Sequence, residues 1–303
     1  MSNHLLALKD FSQSQLVALI ERAIILKQKV SEGERNQSLA GRTISMLFDK
    51  PSTRTRVSFE SAMYGLGGQA IHMSSKESQL TRGEPLKDMA RVLARYVDGI
   101  VVRTFGQHVV EELAQYSHVP VINALTDLYH PCQILSDVMT VMEKKGTVEG
   151  LKIVWLGDGN NMANSWVEAS STIGFPLTLA CPEGYGPDKD VLNDSRKRSH
   201  HQITLLEDPV EAVRDADIIN VDVWASMGQE DEQEKRLQIF QPYQLNRTLL
   251  EYAKDDAVVL HCLPAHRDEE ITEEVLEGPQ CVAFDQAENK MHIHKSILEH
   301  FIE

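Results

Sequence analysis

The chain has 303 residues, 42% apolar and 25% charged, the balance of a folded globular protein, and at ~100–200 residues per domain it is long enough for about two. Its 45 acidic and 30 basic side chains leave a formal charge of −15, which argues against a general nucleic-acid binder, because phosphate backbones need a positive footprint. Against that background, a local basic cluster points to a small anion.

Short runs rich in Val and Ile alternate with helical patterns along the chain. Residues 11–30 predict a helix, with Leu16, Leu19, Ile20 and Ala23 on one face and Ser12 or Ser14 as cap. Strand 43–48, helix 56–66, strand 70–73, helix 88–96, strand 99–103, helix 109–117 and strand 120–123 follow, then a longer helix over 132–145 that ends at Gly146. The pattern restarts with strand 152–156, a helix over 161–173 stopped by Gly174, strand 177–180, a polar helix near 189–198, strand 203–206, helix 209–215 and strand 218–223. After a polar insertion come helix 246–253, strand 257–262, helix 268–276, strand 282–285 and a last helix over 292–302. The charged run 229–236 (QEDEQEKR) reads as a surface loop.

Strands this continuously apolar are expected in parallel sheets covered on both faces. Two successive βαβ series imply an α/β chain of two doubly wound parallel-sheet domains joined by long helices near residues 136–150. The expected domains are 1–136, with the C-terminal helix 288–303 packing back onto it, and 148–286. Ligands in such folds collect beyond the carboxyl ends of the strands.

Cys132, Cys181, Cys262 and Cys281 are far apart and form no CxxC pair, so reduced thiols in a cytoplasm are expected rather than a disulfide scaffold. Residues 1–10 lack a basic segment followed by an apolar run, so no signal peptide is expected. No stretch reaches the ~18 apolar residues of a membrane span, and neither a membrane nor a nucleic-acid partner is expected.

Five strand-end segments carry chemistry. Asp49-Lys50-Pro51-Ser52-Thr53-Arg54-Thr55-Arg56 lies between a strand and a helix. Its hydroxyls and guanidiniums at a helix N-terminus suit a phosphate, since free N–H groups and the positive end of the dipole face the ligand. It lacks the glycines of a Walker loop, and the competing reading is a capped helix with solvated arginines. Arg103-Thr104 ends one strand, and His130-Pro131-Cys132-Gln133 enters the long helix.

Gly157-Asp158-Gly159-Asn160-Asn161 invites a dinucleotide reading, but Met162 stands where the fingerprint needs its third glycine. Its amides equally suit a carboxylate or a zwitterion. Asp222-Val223-Trp224-Ala225-Ser226-Met227-Gly228 and His261-Cys262-Leu263-Pro264-Ala265-His266-Arg267 end two further strands. A lone Cys between histidines across a turn is a poor zinc site, so no metal is expected; Cys262 reads as an active-site thiol or as a small packed residue. His200-His201, His292 and His294 are expected at the surface.

The ordered set KPSTRTR, VVRT, HPCQ, GDGNN, DVWASMG, HCLPAHR and FDQAENKMH resembles the ornithine carbamoyltransferases of the aspartate/ornithine carbamoyltransferase family over nearly the whole chain. The SMG and HCLP elements narrow the acceptor to ornithine rather than aspartate. The resemblance implies transfer of a carbamoyl group from carbamoyl phosphate to L-ornithine, in arginine metabolism, with no cofactor. It implies that Ser52, Thr53, Arg54 and Thr55 hold the phosphate, and that Arg103, His130 and Gln133 bind the carbonyl and amide. Asn161, Asp222, Ser226 and Met227 would hold the amino-acid end of ornithine, Cys262 and Leu263 its side-chain end, with Cys262 paired to Asp222 as proton acceptor.

The resemblance also implies a homotrimer in which Gln79 reaches a neighbouring subunit's site. Cys262, Leu263 and Lys290 complete the expected carbamoyl phosphate set, with Cys262, Arg103, His130 and Arg54 as its catalytic members. Two departures stand out: Thr81 in place of a usual glycine, and Lys290 in place of a usual arginine. Other readings are a carbamoyltransferase for putrescine or aspartate, a Rossmann oxidoreductase, and a metabolite-binding protein without turnover.

Overall fold

The computed structural model describes residues 3–34, 36–74, 83–225 and 232–303. The chain divides into two compact units, Met1–Met139 with Glu288–Glu303, and Thr140–Ala287.

In the first unit, β1 (Thr43–Phe48), β2 (Gln69–Ser74), β3 (Gly99–Arg103) and β4 (Val121–Leu125) form a parallel sheet in the order β2-β1-β3-β4. Helices α1 (Gln13–Ser31), α2 (Thr53–Gly65), α3 (Leu86–Leu93) and α4 (Gln107–Tyr116) accompany it. Ser12 caps α1 in a reciprocal box: its hydroxyl accepts from the Gln15 N–H, and the Gln15 side chain accepts from the Ser12 N–H at 2.8 Å. Strand β3 is buried along its whole length, and Ile100 and Val102 join Leu47, Met89, Leu93, Val110, Leu113 and Val121 in one apolar cluster. At roughly 1.5–3 kcal/mol for each large side chain buried, that cluster is a main stabiliser of the unit.

The chain leaves this unit along α5 (Pro131–Lys145). In the second unit, β5 (Ile153–Leu156), β6 (Leu177–Ala180), β7 (Ile203–Leu206), β8 (Ile218–Val221) and β9 (Val258–His261) pair in parallel in the order β7-β6-β5-β8-β9. Around them lie α6 (Asn161–Ala169), α7 (Lys189–Arg198), α8 (Pro209–Val213), α9 (Gln233–Phe240), α10 (Arg247–Leu250) and α11 (Glu273–Leu276). The chain returns to the first unit along α12 (Ala283–Ile302). Among the described residues, no helix is long and apolar enough to cross a membrane.

Both sheets reverse their strand order once, and these switch points locate the chemistry. In the first unit the reversal separates β1 from β3, where Phe48 pairs with Arg103, so the segment after β1 emerges beside Arg103. In the second it separates β5 from β8, with Leu156 against Val221 and Val221 against His261. The turns after β5, β8 and β9 therefore leave the sheet side by side.

Four expectations need correction. Residues 282–285 are no strand: Cys281 makes a single bridge to Val259, and α12 begins at Ala283. The early start of α12 is hard to read because its buried face includes Gln286, Asn289, Lys290, His292, His294 and Lys295 beside Ile293, Ile297 and Leu298. For the same reason His292 and His294 are buried, not superficial, whereas His200 and His201 are exposed. The charged run ends in α9 rather than in a loop, and Arg236 within it is buried. The helices expected over 246–253 and 268–276 shrink to the single turns of α10 and α11.

Candidate active site

Two groups of side chains, one in each unit, collect at the switch points. In the first unit, Ser52 caps α2 with an extended backbone, and its hydroxyl accepts from the Thr55 N–H at 3.2 Å. The first turn of α2 holds Thr53, Arg54 and Thr55 and no acidic residue, so the positive end of the helix is not neutralised. Thr53 and Arg54 are exposed, while Thr55 is buried and its Oγ1 accepts from the Lys290 ammonium at 3.1 Å. One turn along, the Ser58 hydroxyl donates to the Thr55 carbonyl, leaving its oxygen to accept from Nδ1 of His294, which stacks on Phe59 with ring centroids 3.6 Å apart. Helix α12 thus holds the cradle face of α2 through Lys290 and His294.

Around this cradle the electrostatics favour an anion. Arg103, His130, Gln133 and Lys290 are all buried. Burial first, then Lys290, Arg103 and His294, hold the His130 imidazole well below the ordinary histidine range, so it is neutral at physiological pH. Burial and Lys290 do the same to His294. The cations are therefore Arg103, Lys290 and the exposed Arg54, beside neutral imidazoles. Gln133 is oriented by donating to Asp137 at 2.8 Å. Lys50 is turned away from the ligand role, pairing with Asp127 and lying over the Phe105 ring at 4.4 Å. Thr104 donates to Asp49. The thiol of Cys132 points to the Asn123 carbonyl, and burial pushes it up to about 12, so within HPCQ it is a packing residue.

In the second unit, Asp222 sits between two partners. Its Oδ1 accepts from the Cys262 thiol at 3.2 Å, and its Oδ2 from the Asn160 amide at 3.0 Å. Asn160 also caps α6, accepting from the Met162 and Ala163 N–H groups at 2.9 and 3.3 Å. Asn161 is the amide expected to hold the ligand, yet it is Asn160 that bonds Asp222, and its cap position before an apolar helix is the local signal for it. Asn161 is the first residue of α6 and half-buried.

The turn after β9 is held just as closely. Leu263 has a positive φ of 58° and its N–H donates to Nδ1 of His261 at 2.9 Å. That fixes the tautomer, because Nε2 must then carry the proton it gives to Glu270 at 2.8 Å. Glu270 also accepts from the His266 N–H, and Gln286 from the His261 N–H. Asp222, His261 and Cys262 offer ligand atoms within 4.8 Å of one another. Both nitrogens of His261 are nevertheless committed, so this trio is a hydrogen-bonded support for the Cys262–Leu263 turn rather than a metal cage.

Of the expected residues, Ser52, Thr55, Arg103, His130, Gln133 and Lys290 belong to the first group, with Thr53 and Arg54 at its exposed edge, and Asn161, Asp222, Cys262 and Leu263 to the second. Gln79, Thr81, Ser226 and Met227 lie outside the described residues. Glu270 and Arg236, which carry no local signal in the sequence, touch the supports of the site.

Comparison with known proteins gives two domain matches, the second of which takes in the C-terminal helix and Lys290. Residues 3–143 match the family described as aspartate/ornithine carbamoyltransferase, carbamoyl-P binding domain, and residues 149–301 its Asp/Orn binding domain. The chain is 66% identical over 302 residues to the ornithine carbamoyltransferase of Desulfotalea psychrophila, covering 100% of both, and 54% identical to that of Geobacter sulfurreducens, covering 98% of both. Its fold is similar to the solved ornithine carbamoyltransferase of Pyrococcus furiosus, with a TM-score of 0.96 and 48% identity over 99% of this chain and 97% of that one.

Proposed function

The chain belongs to the aspartate/ornithine carbamoyltransferase family and is a carbamoyltransferase, and on that premise we propose that it converts carbamoyl phosphate and L-ornithine to L-citrulline and phosphate. The observation that carries the choice of acceptor is the Asp222 carboxylate, fixed by Cys262 and Asn160. A carboxylate there suits an α-ammonium group and repels the extra carboxylate of aspartate. The neighbouring Asn161 amide suits an α-carboxylate, which putrescine lacks.

In this reading, Ser52, Thr53, Arg54 and Thr55 bind the phosphate, with Lys290 reaching the same group beside Thr55. Arg103, His130 and Thr55 stabilise the oxygen that becomes negative as the amine attacks, and Gln133 binds the carbamoyl amide. Neutral His130 is suited to that task, because its one N–H can donate a hydrogen bond and is too weak an acid to be lost. The electrophile is already activated by its phosphate, so positioning and charge stabilisation suffice, and no covalent enzyme intermediate forms. The amine lone pair attacks the carbonyl carbon, the tetrahedral intermediate collapses as the C–O bond to phosphate breaks, and the departing phosphate takes the second proton that the nitrogen sheds on becoming an amide.

The nucleophile is the harder problem. An alkylammonium has a pKa of ~10.4, so near neutral pH its free base is disfavoured by about 4 kcal/mol. We assign the Asp222–Cys262 pair as the acceptor of that proton, with Asn161, Ser226 and Met227 holding the amino-acid end and Leu263 the side chain. The departing phosphate is the competing acceptor, and Cys262→Ser separates the two. The same reading makes the protein a cytoplasmic homotrimer of arginine biosynthesis, with Gln79 reaching an adjacent subunit. Equimolar citrulline and phosphate from carbamoyl phosphate and ornithine, together with a trimer mass in solution, are the expected results. Release of phosphate without citrulline would refute it.

A further inference from the structure

We propose that Arg236 is a positioning residue for the acceptor: it ties the turn carrying Asn160 and Asn161 to the strand end carrying Asp222, and so sets the affinity for the amino acid. This rests on the reading above that those residues hold the acceptor.

Arg236 lies on α9, 6% exposed, and its Nη1, its Nε and the face of its guanidinium are all engaged. Nη1 donates to the Trp224 carbonyl at 2.7 Å, two residues beyond Asp222, and lies 3.2 Å from Asp158 Oδ2 in the turn after β5. Nε reaches Glu232 at 3.4 Å, and the plane lies over the Tyr185 ring at 5.1 Å and the Phe240 ring at 5.7 Å. Tyr185 belongs to the same assembly, since its carbonyl accepts from the Gly159 N–H at 2.7 Å. Gly159 packs so closely there that a Cβ would stand 2.1 Å from the Gly186 carbonyl carbon.

Three segments, around 157–161, 185–187 and 222–225, therefore converge on one side chain that itself bears no functional group of the reaction. A planar, always-charged fork with aromatic faces to stack on fits this duty, and lysine does not reproduce it. A buried ion pair is a poor source of net stability, and its best-attested use is to fix one arrangement. Here the arrangement fixed is the spacing of Asn160 and Asp222, whose side chains are directly bonded.

The test is steady-state kinetics of Arg236→Met and Arg236→Lys, with carbamoyl phosphate affinity measured by calorimetry and folding by thermal melts. The expected result for Arg236→Met is an acceptor KM raised roughly tenfold or more, with carbamoyl phosphate affinity unchanged and Arg236→Lys only partly restoring the loss. An acceptor KM within about twofold of the parent in a folded Arg236→Met protein would overturn the proposal. So would a fall in kcat alone that matches a fall in carbamoyl phosphate sites, because that is damage to folding. If Arg236→Met does not fold, Asp158→Asn and Tyr185→Leu must show the same split. The parent protein is first assayed with several amino acids; if one other than ornithine is the acceptor, the ornithine reading fails and Arg236 is judged on that acceptor.

Discussion

Lys290 donates to the Thr55 hydroxyl across 3.1 Å, both residues buried, so that a cation from the last helix touches the fourth residue of the proposed phosphate cradle. Removing the charge with Lys290→Met is expected to raise the KM for carbamoyl phosphate severely, on the scale of a charge-assisted hydrogen bond (roughly 1.5–3 kcal/mol). Lys290→Arg offers a planar fork and should lower that KM modestly, up to about tenfold, with little effect on the acceptor. Full activity in Lys290→Met would make the final segment purely structural.

Asp222→Asn should raise the acceptor KM and leave carbamoyl phosphate affinity intact, because Asp222 and its partners Asn160 and Cys262 lie in the unit without the cradle. Calorimetry with carbamoyl phosphate alone separates the two effects. Equal loss for both substrates would mean that Asp222 only supports the fold.

The rate should climb through the weakly alkaline range as the acceptor amine loses its proton. His130 contributes no limb near neutrality, since burial and its cationic neighbours keep it neutral well below the usual histidine range. Cys262→Ser keeps the shape but is a far weaker acid, so any thiol-dependent limb should vanish. An unchanged rate and profile in Cys262→Ser would leave the phosphate as proton acceptor.

Asp158 predicts a stability effect of definite sign. Burial pushes its carboxyl from an ordinary 3.8 up to about 6, with Asp222 adding to the rise and Arg236 opposing it. Between those values the folded protein holds the proton more tightly than the unfolded chain. The group therefore favours folding most below the lower value, and that contribution is lost as pH rises through about 6, on the order of 3 kcal/mol at most. Thermal melts at pH 4.5 to 7.5 compare the parent with Asp158→Asn, which should lose this part of the pH slope. Parallel slopes would contradict the assignment.

Much of the architecture was legible because parallel strands such as β3 and β5 are buried on both faces and show up as plain apolar runs. Polar burial was not legible. His292 and His294 look like surface residues in sequence because their partners on other elements, such as Phe59 and Ser58, are distant in the chain. Arg236 was hidden in a charged run for the same reason, its value lying in Asp158 and Trp224. The local motifs pointed to the cradle at Ser52–Thr55, whereas the bond from Asn160 to Asp222 joins distant residues and only the cap position before α6 sets Asn160 apart from Asn161.

The second group of residues is expected to select an acceptor with an α-ammonium, an α-carboxylate and a terminal amine. The direct measurement is kcat/KM for ornithine, putrescine and aspartate at saturating carbamoyl phosphate, with the product identified. Ornithine is expected to lead both competitors by at least ~100-fold, since each loses a charged contact or adds a repulsive one. Equal or faster carbamoylation of putrescine or aspartate would contradict the account.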